Sequence, residues 1–223
     1  MATFPYAALW RDTEQHTLSF PLLQKAAYPW EILSALSDFI RAVGQQLPRD
    51  EYEQLADGVW AARTARIATS AHIGAPCIIG HDTEVRHCAF IRGGALIGDG
   101  AVIGNSTELK NCVLFDGVQV PHFNYVGDSV LGYRAHLGAG AITSNVKSDR
   151  SDIVVWIEQS RIPTGRRKLG AMVGDLVEVG CNSVLNPGCV VGRESRVYPS
   201  VSVRGFVWER CVWKGDGSVV RRR

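Results

Sequence analysis

The sequence lacks an excess of charge of either sign. Its 223 residues include 24 Lys and Arg against 22 Asp and Glu, which leaves a net charge of +2. A balance this even argues against a nucleic-acid-binding surface. The basic run at residues 221–223 is therefore interpreted as a solvated terminus.

Membrane signals are also missing. No apolar run approaches the length that crosses a bilayer, and residues 1–12 lack the basic and then apolar pattern of a secretion signal. These absences predict a cytoplasmic protein that has neither a membrane nor a nucleic acid as its partner.

Closely spaced metal ligands are the third absence. None of the six cysteines forms a CxxC pair, and they are expected to be reduced thiols, several of them buried as small apolar residues. The histidines are His16, His72, His81, His87, His122 and His136. This spacing offers no evident set of converging imidazoles, so no metal is expected and a metal-dependent lyase is the weakest interpretation.

What the sequence does contain is a six-residue repeat of large apolar residues, often with small residues two places before them. The first series is Ile67, Ile73, Ile79, Val85, Ile91, Ile97, Ile103, Leu109 and Phe115, the second is Tyr125, Leu131, Leu137 and Thr143, and the third is Val173, Val179, Leu185, Val191, Val197 and Val203. This period fits neither an α-helix nor an alternating strand, but it is typical of parallel β-helices built from hexapeptides.

In such a fold each hexapeptide forms one side of a triangular prism, and 18 residues complete a coil. The large apolar residue of each hexapeptide points into the prism. The 19 positions in the three series predict a little over six coils and a rod on the order of 30 Å long.

The repeat also predicts the organisation of the chain. Residues 58–207 are assigned to the β-helix, residues 1–57 to an N-terminal helical cap and residues 208–223 to a C-terminal tail. Residues 146–170 lack the repeat and are predicted to be an inserted loop. Apolar residues at helical spacing predict one helix in the cap, and residues 49–56 a short second one.

One stretch of the repeat carries a more specific pattern. Its residues are Arg92, Glu108, Lys110, Pro121, His122, Tyr125, Gly127, Asp128, Gly138, Ala139, Gly140 and Asn145. This pattern resembles the acetyltransferase domain of the bifunctional bacterial uridyltransferase/glucosamine-1-phosphate acetyltransferase, a hexapeptide-repeat acyltransferase family. The resemblance covers about residues 59–207 as a fold and is specific over about residues 90–146. It implies a left-handed parallel β-helix, a homotrimer, and acetyl-CoA as co-substrate.

The resemblance also implies a role for each matching residue. His122 would be the general base, and the backbone N–H of Ala139 would stabilise the oxyanion. The residues implied to bind the sugar-phosphate acceptor are Arg92, Lys110, Tyr125, Asn145, Glu108 and His136, and those implied to bind the acyl-CoA are Ala139, Cys181 and Pro199. Two positions depart from the family, which has a sugar-binding asparagine at His136 and a tyrosine at Val146.

Elementary chemistry bears on part of this assignment. A histidine side chain is a suitable base near neutral pH. The ten residues from Phe115 to Tyr125 interrupt the repeat, and this slip is predicted to lift His122 off the prism into a groove. Arg92 and Lys110 are 18 residues apart, so they are predicted to stack about 5 Å apart, where a phosphate or carboxylate would neutralise them. The alternative is a solvated pair that Glu108 partly neutralises.

Several alternatives remain open at this stage. Tyr125 falls on the inward positions of the repeat and is alternatively a core residue. Glu108 either contacts the acceptor or pairs with Lys110, and Asn145 either binds substrate or supports the turn into the loop. The basic run at residues 166–168 is interpreted as solvated rather than as a contact for coenzyme A phosphates. A non-catalytic sugar-phosphate-binding module is the alternative function.

Overall fold

The computed structural model describes residues 4–222. Residues 1–3, part of the segment predicted to lack a secretion signal, and Arg223 of the predicted solvated terminus lie outside the described residues. The helices are α1 (Thr13–His16), α2 (Phe20–Leu23) and α3 (Ile32–Gly44), with 3₁₀ turns at Tyr6–Ala8 and Pro29–Glu31. The strands are β1 (Tyr52–Ala56), β2 (Val59–Ala62), β3 (Arg66–Ile67), β4 (His72–Ile73), β5 (Cys77–Ile79), β6 (Glu84–Val85), β7 (Phe90–Ile91), β8 (Ala95–Ile97), β9 (Val102–Asn105), β10 (Glu108–Leu114), β11 (Gln119–His122), β12 (Tyr125–Leu131), β13 (His136–Leu137), β14 (Ile142–Thr143), β15 (Val154–Ile157), β16 (Ser160–Pro163), β17 (Ala171–Val173), β18 (Glu178–Val179), β19 (Val184–Leu185), β20 (Cys189–Val191), β21 (Arg196–Val197), β22 (Ser202–Val203), β23 (Phe206–Val207), β24 (Cys211–Trp213) and β25 (Val219–Arg221).

Most of these strands stack in parallel on three faces. Face 1 contains β4, β7, the first halves of β10 and β12, β14, β19 and β22. Face 2 contains β2, β5, β8, the second halves of β10 and β12, β17, β20 and β23. Face 3 contains β3, β6, β9, β11, β13, β18, β21 and β24. The prediction of a left-handed parallel β-helix is confirmed.

The core is a ladder of inward side chains on each face. On face 1 the ladder is Ile73, Ile91, Leu109, Val126, Thr143, Leu185 and Val203, at matching positions of successive strands. Stacking these ladders buries a continuous core that no single coil would form. Faces 2 and 3 each carry eight rungs within residues 4–222, which makes the stack longer than predicted.

The predicted slip at His122 is wrong. Strand β11 keeps this segment on the prism, because Val120 pairs with Ile103 and His122 with Asn105. Ala95, Cys112 and Ser129 are partners in successive coils, so each of these coils has 17 residues instead of 18. The shorter coils move the inward position to Val120 and then to Val126. Tyr125 is therefore not a core position, and it lies on the outer side of face 1.

The N-terminal cap lies along the side of the stack. Helix α3 contacts β5, β8 and β10 of face 2, and Leu36 and Ile40 on its inner side are fully buried. The predicted second helix is wrong, because Tyr52–Ala56 is strand β1, which pairs antiparallel with β2. This strand covers the edge that the first coil would otherwise expose.

Residues 4–16 form what we call the N-terminal strap. It binds the coils nearer the C-terminus, where the Trp10 Nε1–H donates to the Val173 carbonyl (2.9 Å). The Asp175 N–H donates to the Leu9 carbonyl (2.9 Å). The Asp175 carboxylate in turn accepts the N–H groups of Arg11 and Tyr133, both at 2.8 Å. Asp175 is therefore a central anchor of the strap.

Asp175 makes the stability of the fold depend on pH. Burial raises its pKa from 3.8 to about 6, against the lowering effect of the two N–H donors and of the nearby His16 and Arg193. The protonated form thus stabilises the fold below about pH 4, and this contribution is lost as the pH rises through about 6. The free energy of unfolding is measured in urea for Asp175→Asn and for wild type. The value for Asp175→Asn minus the value for wild type should rise by up to about 3 kcal/mol from pH 4 to 7.5. A difference that does not change with pH would contradict this role.

The predicted inserted loop holds the antiparallel hairpin β15–β16. Ile153, Val155 and Leu169 are fully buried, which ties the loop to the body of the protein. The Arg166 guanidinium donates to the Ser34 hydroxyl of α3 (2.8 Å), whereas Arg167 is exposed. The first residue of the basic run therefore binds the cap, contrary to the expectation that the whole run is solvated.

Candidate active site

One edge of the prism, between faces 3 and 1, collects four of the predicted site residues. His122, Ala139, Cys181 and Pro199 occupy the same corner position of successive coils. In each case the residue after the upper corner donates its N–H to the carbonyl of the lower corner, at 3.0, 2.8 and 2.8 Å. We call this row the His122 edge. It brings together the base and the acyl-CoA residues that were predicted separately.

The corner itself follows from backbone conformation. The residue after each corner has a positive φ, from 51° at Phe123 to 71° at Gly140. This conformation turns the chain sharply from face 3 to face 1. It presents the corner residue outward, so the His122 side chain is exposed. Within residues 4–222 its imidazole has no hydrogen-bond partner, and is free to bind a ligand.

The Ala139 N–H is the second group on this edge without a partner among residues 4–222. The neighbouring N–H groups of Gly138 and Gly140 donate to Val179 and His122, but among the described residues that of Ala139 has no acceptor. It lies one coil above His122, a separation of about 4.8 Å along the stack. A free backbone donor at this position suits a developing oxyanion.

A second cluster lies at the opposite edge of face 1 and is centred on Asp128, which is only 4% exposed. Its carboxylate binds the Lys110 ammonium (3.0 Å), the Asn111 amide (2.8 Å) and the Asn145 amide (2.6 Å). The Asn145 amide also donates to the Tyr125 hydroxyl (3.1 Å). We call these five residues the Asp128 network.

Arg92 lies one coil below Lys110, as predicted, because its N–H donates to the Leu109 carbonyl (2.9 Å). Each cation has its own carboxylate, since Arg92 pairs with Glu108 (2.9 Å) and Lys110 with Asp128. The alternative that Glu108 pairs with Lys110 is therefore wrong. The two cations are neutralised within the chain, so their stacking does not by itself require a bound anion.

Tyr125 connects the two edges of face 1. Burial, together with the carboxylates of Asp128 and Glu108, raises the pKa of its phenol, so the hydroxyl stays protonated at neutral pH. His122 precedes it by three residues, which limits the distance between their Cα atoms to about 11 Å. The His122 edge and the Asp128 network thus bound a single strip of surface.

His136 does not lie on this strip. It is on face 3, where its Nδ1 contacts the Glu178 carboxylate at 2.8 Å and its Cα pairs with Gln119. The structure brings the other predicted residues to the two edges of face 1 and leaves His136 one face away.

Two residues of the site were missed by the sequence analysis. Asp128 was part of the family pattern but was given no role, and Asn124 was not considered. Asn124 is 2% exposed and hydrogen bonds to both the His122 corner and the Ala139 turn. A buried asparagine between two positions with assigned roles was the available signal.

Residues 4–222 lack two kinds of feature. No group of three or more His, Cys, Asp or Glu side chains is arranged to hold a metal ion. No helix in that part of the chain is long and apolar enough to span a membrane.

Known proteins resemble this chain over the coil stack. The profile of the GMPPB C-terminal domain matches residues 73–208. The chain belongs to the GMPPB C-terminal domain family. The GMPPB C-terminal domain match includes the His122 edge and the Asp128 network in full.

Two curated relatives extend the comparison. A bifunctional sugar-1-phosphate nucleotidylyltransferase/acetyltransferase of Sulfurisphaera tokodaii is 40% identical over 43% of this chain and 24% of its own length. A bifunctional protein GlmU of Methanococcus maripaludis is 29% identical over 88% of this chain and 48% of its own length. The chain thus spans less than half of each relative. The predicted resemblance to such bifunctional proteins is confirmed.

Among solved structures, a hexapeptide transferase family protein from Anaplasma phagocytophilum aligns with a TM-score of 0.42 and 18% identity. The alignment covers 74% of this chain and 81% of that one.

Proposed function

We propose that this protein is an acyltransferase that moves the acetyl group of acetyl-CoA to the amine of a sugar phosphate. The observation that carries the proposal is the His122 edge, where the His122 imidazole lies one coil below the Ala139 N–H and neither has a hydrogen-bond partner within residues 4–222. A relative named as a bifunctional nucleotidylyltransferase/acetyltransferase, 40% identical over 43% of this chain, supports the same reaction class.

In the proposed reaction, the neutral imidazole of His122 takes a proton from the acceptor amine. The amine nitrogen forms a bond to the thioester carbonyl carbon, and the carbonyl oxygen becomes an oxyanion that accepts the Ala139 N–H. When the C–S bond breaks, the thiolate of coenzyme A leaves. The imidazolium returns its proton to this thiolate, so the products are an acetamide and free coenzyme A.

We assign the acyl donor to the upper part of the His122 edge, along Ala139, Cys181 and Pro199. These corners stack in successive coils above His122, with Cys181 and Pro199 exposed, and the row suits an extended chain whose thioester ends beside the base. The acceptor is then assigned to face 1, between the edge and the Asp128 network.

On face 1 the acceptor would meet polar groups on several sides. Arg92 and Lys110 provide cations for its phosphate, in competition with Glu108 and Asp128. The Tyr125 hydroxyl provides a neutral hydrogen-bonding group. His136 is assigned no contact with the acceptor bound to its own chain. In the homotrimer that the family resemblance implies, a second copy would be needed to supply such a contact.

The proposal is tested by free thiol release from acetyl-CoA with a panel of amino-sugar phosphates, beside the same sugars without the amine. We expect release only when the acceptor has a free amine. Thermal shift with each ligand distinguishes the proposed acyltransferase from the alternative, a non-catalytic binding module. Stabilisation by a sugar phosphate but not by acetyl-CoA, with no thiol release, would replace the proposal by a non-catalytic binding module.

A further inference from the structure

We propose that Asn124 is a positioning residue, which fixes the His122 corner relative to the Ala139 turn. The inference rests on the proposed function, because it concerns the alignment of the base with the oxyanion donor. It adds a residue that neither touches substrate nor belongs to the family pattern described above.

The Asn124 side chain joins two successive coils. Its Oδ1 accepts the His122 N–H (3.1 Å) in its own coil. Its Nδ2 donates to the carbonyls of Gly138 (2.8 Å) and Ala141 (2.9 Å) in the coil above. These two carbonyls flank Ala139. The reversed amide would direct its oxygen at both carbonyls, so the hydrogen bonds define which way it points.

Asn124 is unusual for its position in the repeat. The residues that follow the positive-φ turn at this edge in other coils are Ala89, Thr107, Ala141, Ser183 and Val201. None of these side chains carries an amide. Thr107, one coil below, bonds the Val120 carbonyl (2.9 Å) and the Asn124 N–H (3.4 Å) of the turn above it, and Ser183 bonds the Tyr198 carbonyl (2.8 Å) and the Val201 N–H (3.4 Å) of its own upper turn. Within residues 4–222, Asn124 differs from both in that it also accepts the N–H of its own corner residue, His122, and so ties that corner to the turn above.

This bridge has a consequence for catalysis because the base and the oxyanion donor belong to different coils. Backbone hydrogen bonds hold the coils together, but each corner is a turn that adjusts by small rotations. An error of about 1 Å in the placement of a reacting group lowers a rate by up to about 100-fold. The three hydrogen bonds of the buried Asn124 amide restrict this movement between the His122 corner and the Ala139 turn.

The test uses Asn124→Thr, which gives this corner the residue present one coil below. Its hydroxyl has the hydrogen-bonding pattern of Thr107 available towards the turn above, but it does not replace the amide oxygen that accepts the His122 N–H. We therefore expect a folded protein in which the His122 corner is no longer tied to the Ala139 turn. With acetyl-CoA and the best amino-sugar phosphate, kcat should fall about tenfold or more, while both KM values stay within about threefold. Adding Asn124→Thr to His122→Ala should then cause little further loss, since the aligned base is already gone.

Ser195→Ala is the matched control. The Ser195 hydroxyl is also fully buried, and bridges Trp208 and Cys211 (2.9 and 3.0 Å) at a different edge. We expect it to lower the melting temperature without changing kcat. An Asn124→Thr enzyme that retains kcat within twofold would overturn the inference and leave the proposed function intact. A wild-type protein that releases no thiol with any acceptor would instead overturn both.

Discussion

Replacing His122 by alanine should lower kcat for acetyl transfer by about 10²–10⁴-fold, because the acceptor amine loses its general base. The imidazole is exposed and unpartnered among residues 4–222, so its removal leaves no buried group unsatisfied. The melting temperature should therefore stay close to that of wild type. The measurement is the steady-state release of free thiol from acetyl-CoA at saturating acceptor.

His87→Ala provides the control. His87 is an exposed histidine on the same edge, two coils below His122, because its carbonyl accepts the Ser106 N–H and Asn105 pairs with His122. Its loss should leave kcat unchanged. Equal activities of wild type and His122→Ala would remove His122 from the mechanism, even if the protein remains an acetyltransferase.

Replacing Asp128 by alanine should destabilise the fold by about 3–5 kcal/mol. Asp128 is 4% exposed and binds Lys110 and Asn111 in the coil below and Asn145 in the coil above, so it joins three successive coils. Its loss removes the acceptor of the largely buried Lys110 ammonium and of the Asn111 amide, and leaves the Asn145 amide with the Tyr125 hydroxyl. Alanine also fits poorly at the φ of 48° that Asp128 adopts. Urea unfolding at pH 7 measures the change.

Two further variants separate the causes of this loss. Asp128→Asn keeps one oxygen acceptor and tolerates the positive φ, so its loss of stability should be smaller than that of Asp128→Ala. Asp50→Ala removes an exposed carboxylate and should stay within about 0.5 kcal/mol of wild type. If Asp128→Ala were as stable as Asp50→Ala, the Asp128 network would not hold the coils together.

The scaffold was predictable because burial imposes a period. One inward residue per face recurs in every coil, and apolar residues at positions such as Ile91 and Ile97 are visible without any knowledge of partners. The segment around His122 was not predictable in this way. There each coil has 17 residues instead of 18. A six-residue count along the sequence therefore indicates an interruption where the core is continuous.

The candidate site was predictable only in part. The family pattern supplied His122 and Ala139, and the structure places them in adjacent coils. Asn124 and Asp128 act through partners 14 to 18 residues away in the sequence. Such partners are identified only when the length of each coil is known. Because the coil length was miscounted, the polar residues that join one coil to the next could not be identified from the sequence.

The N-terminal strap has a consequence for how the chain is made. Trp10 and Arg11 hydrogen bond to Val173 and Asp175, which are 163 and 164 residues later. Synthesis proceeds from the amino towards the carboxyl direction, so Trp10 and Arg11 emerge from the ribosome before the residues that they bind. The strap therefore reaches its native neighbours only after the intervening coils have been made. A nascent chain stopped before residue 173 would carry the strap undocked, even with its first coils already wound.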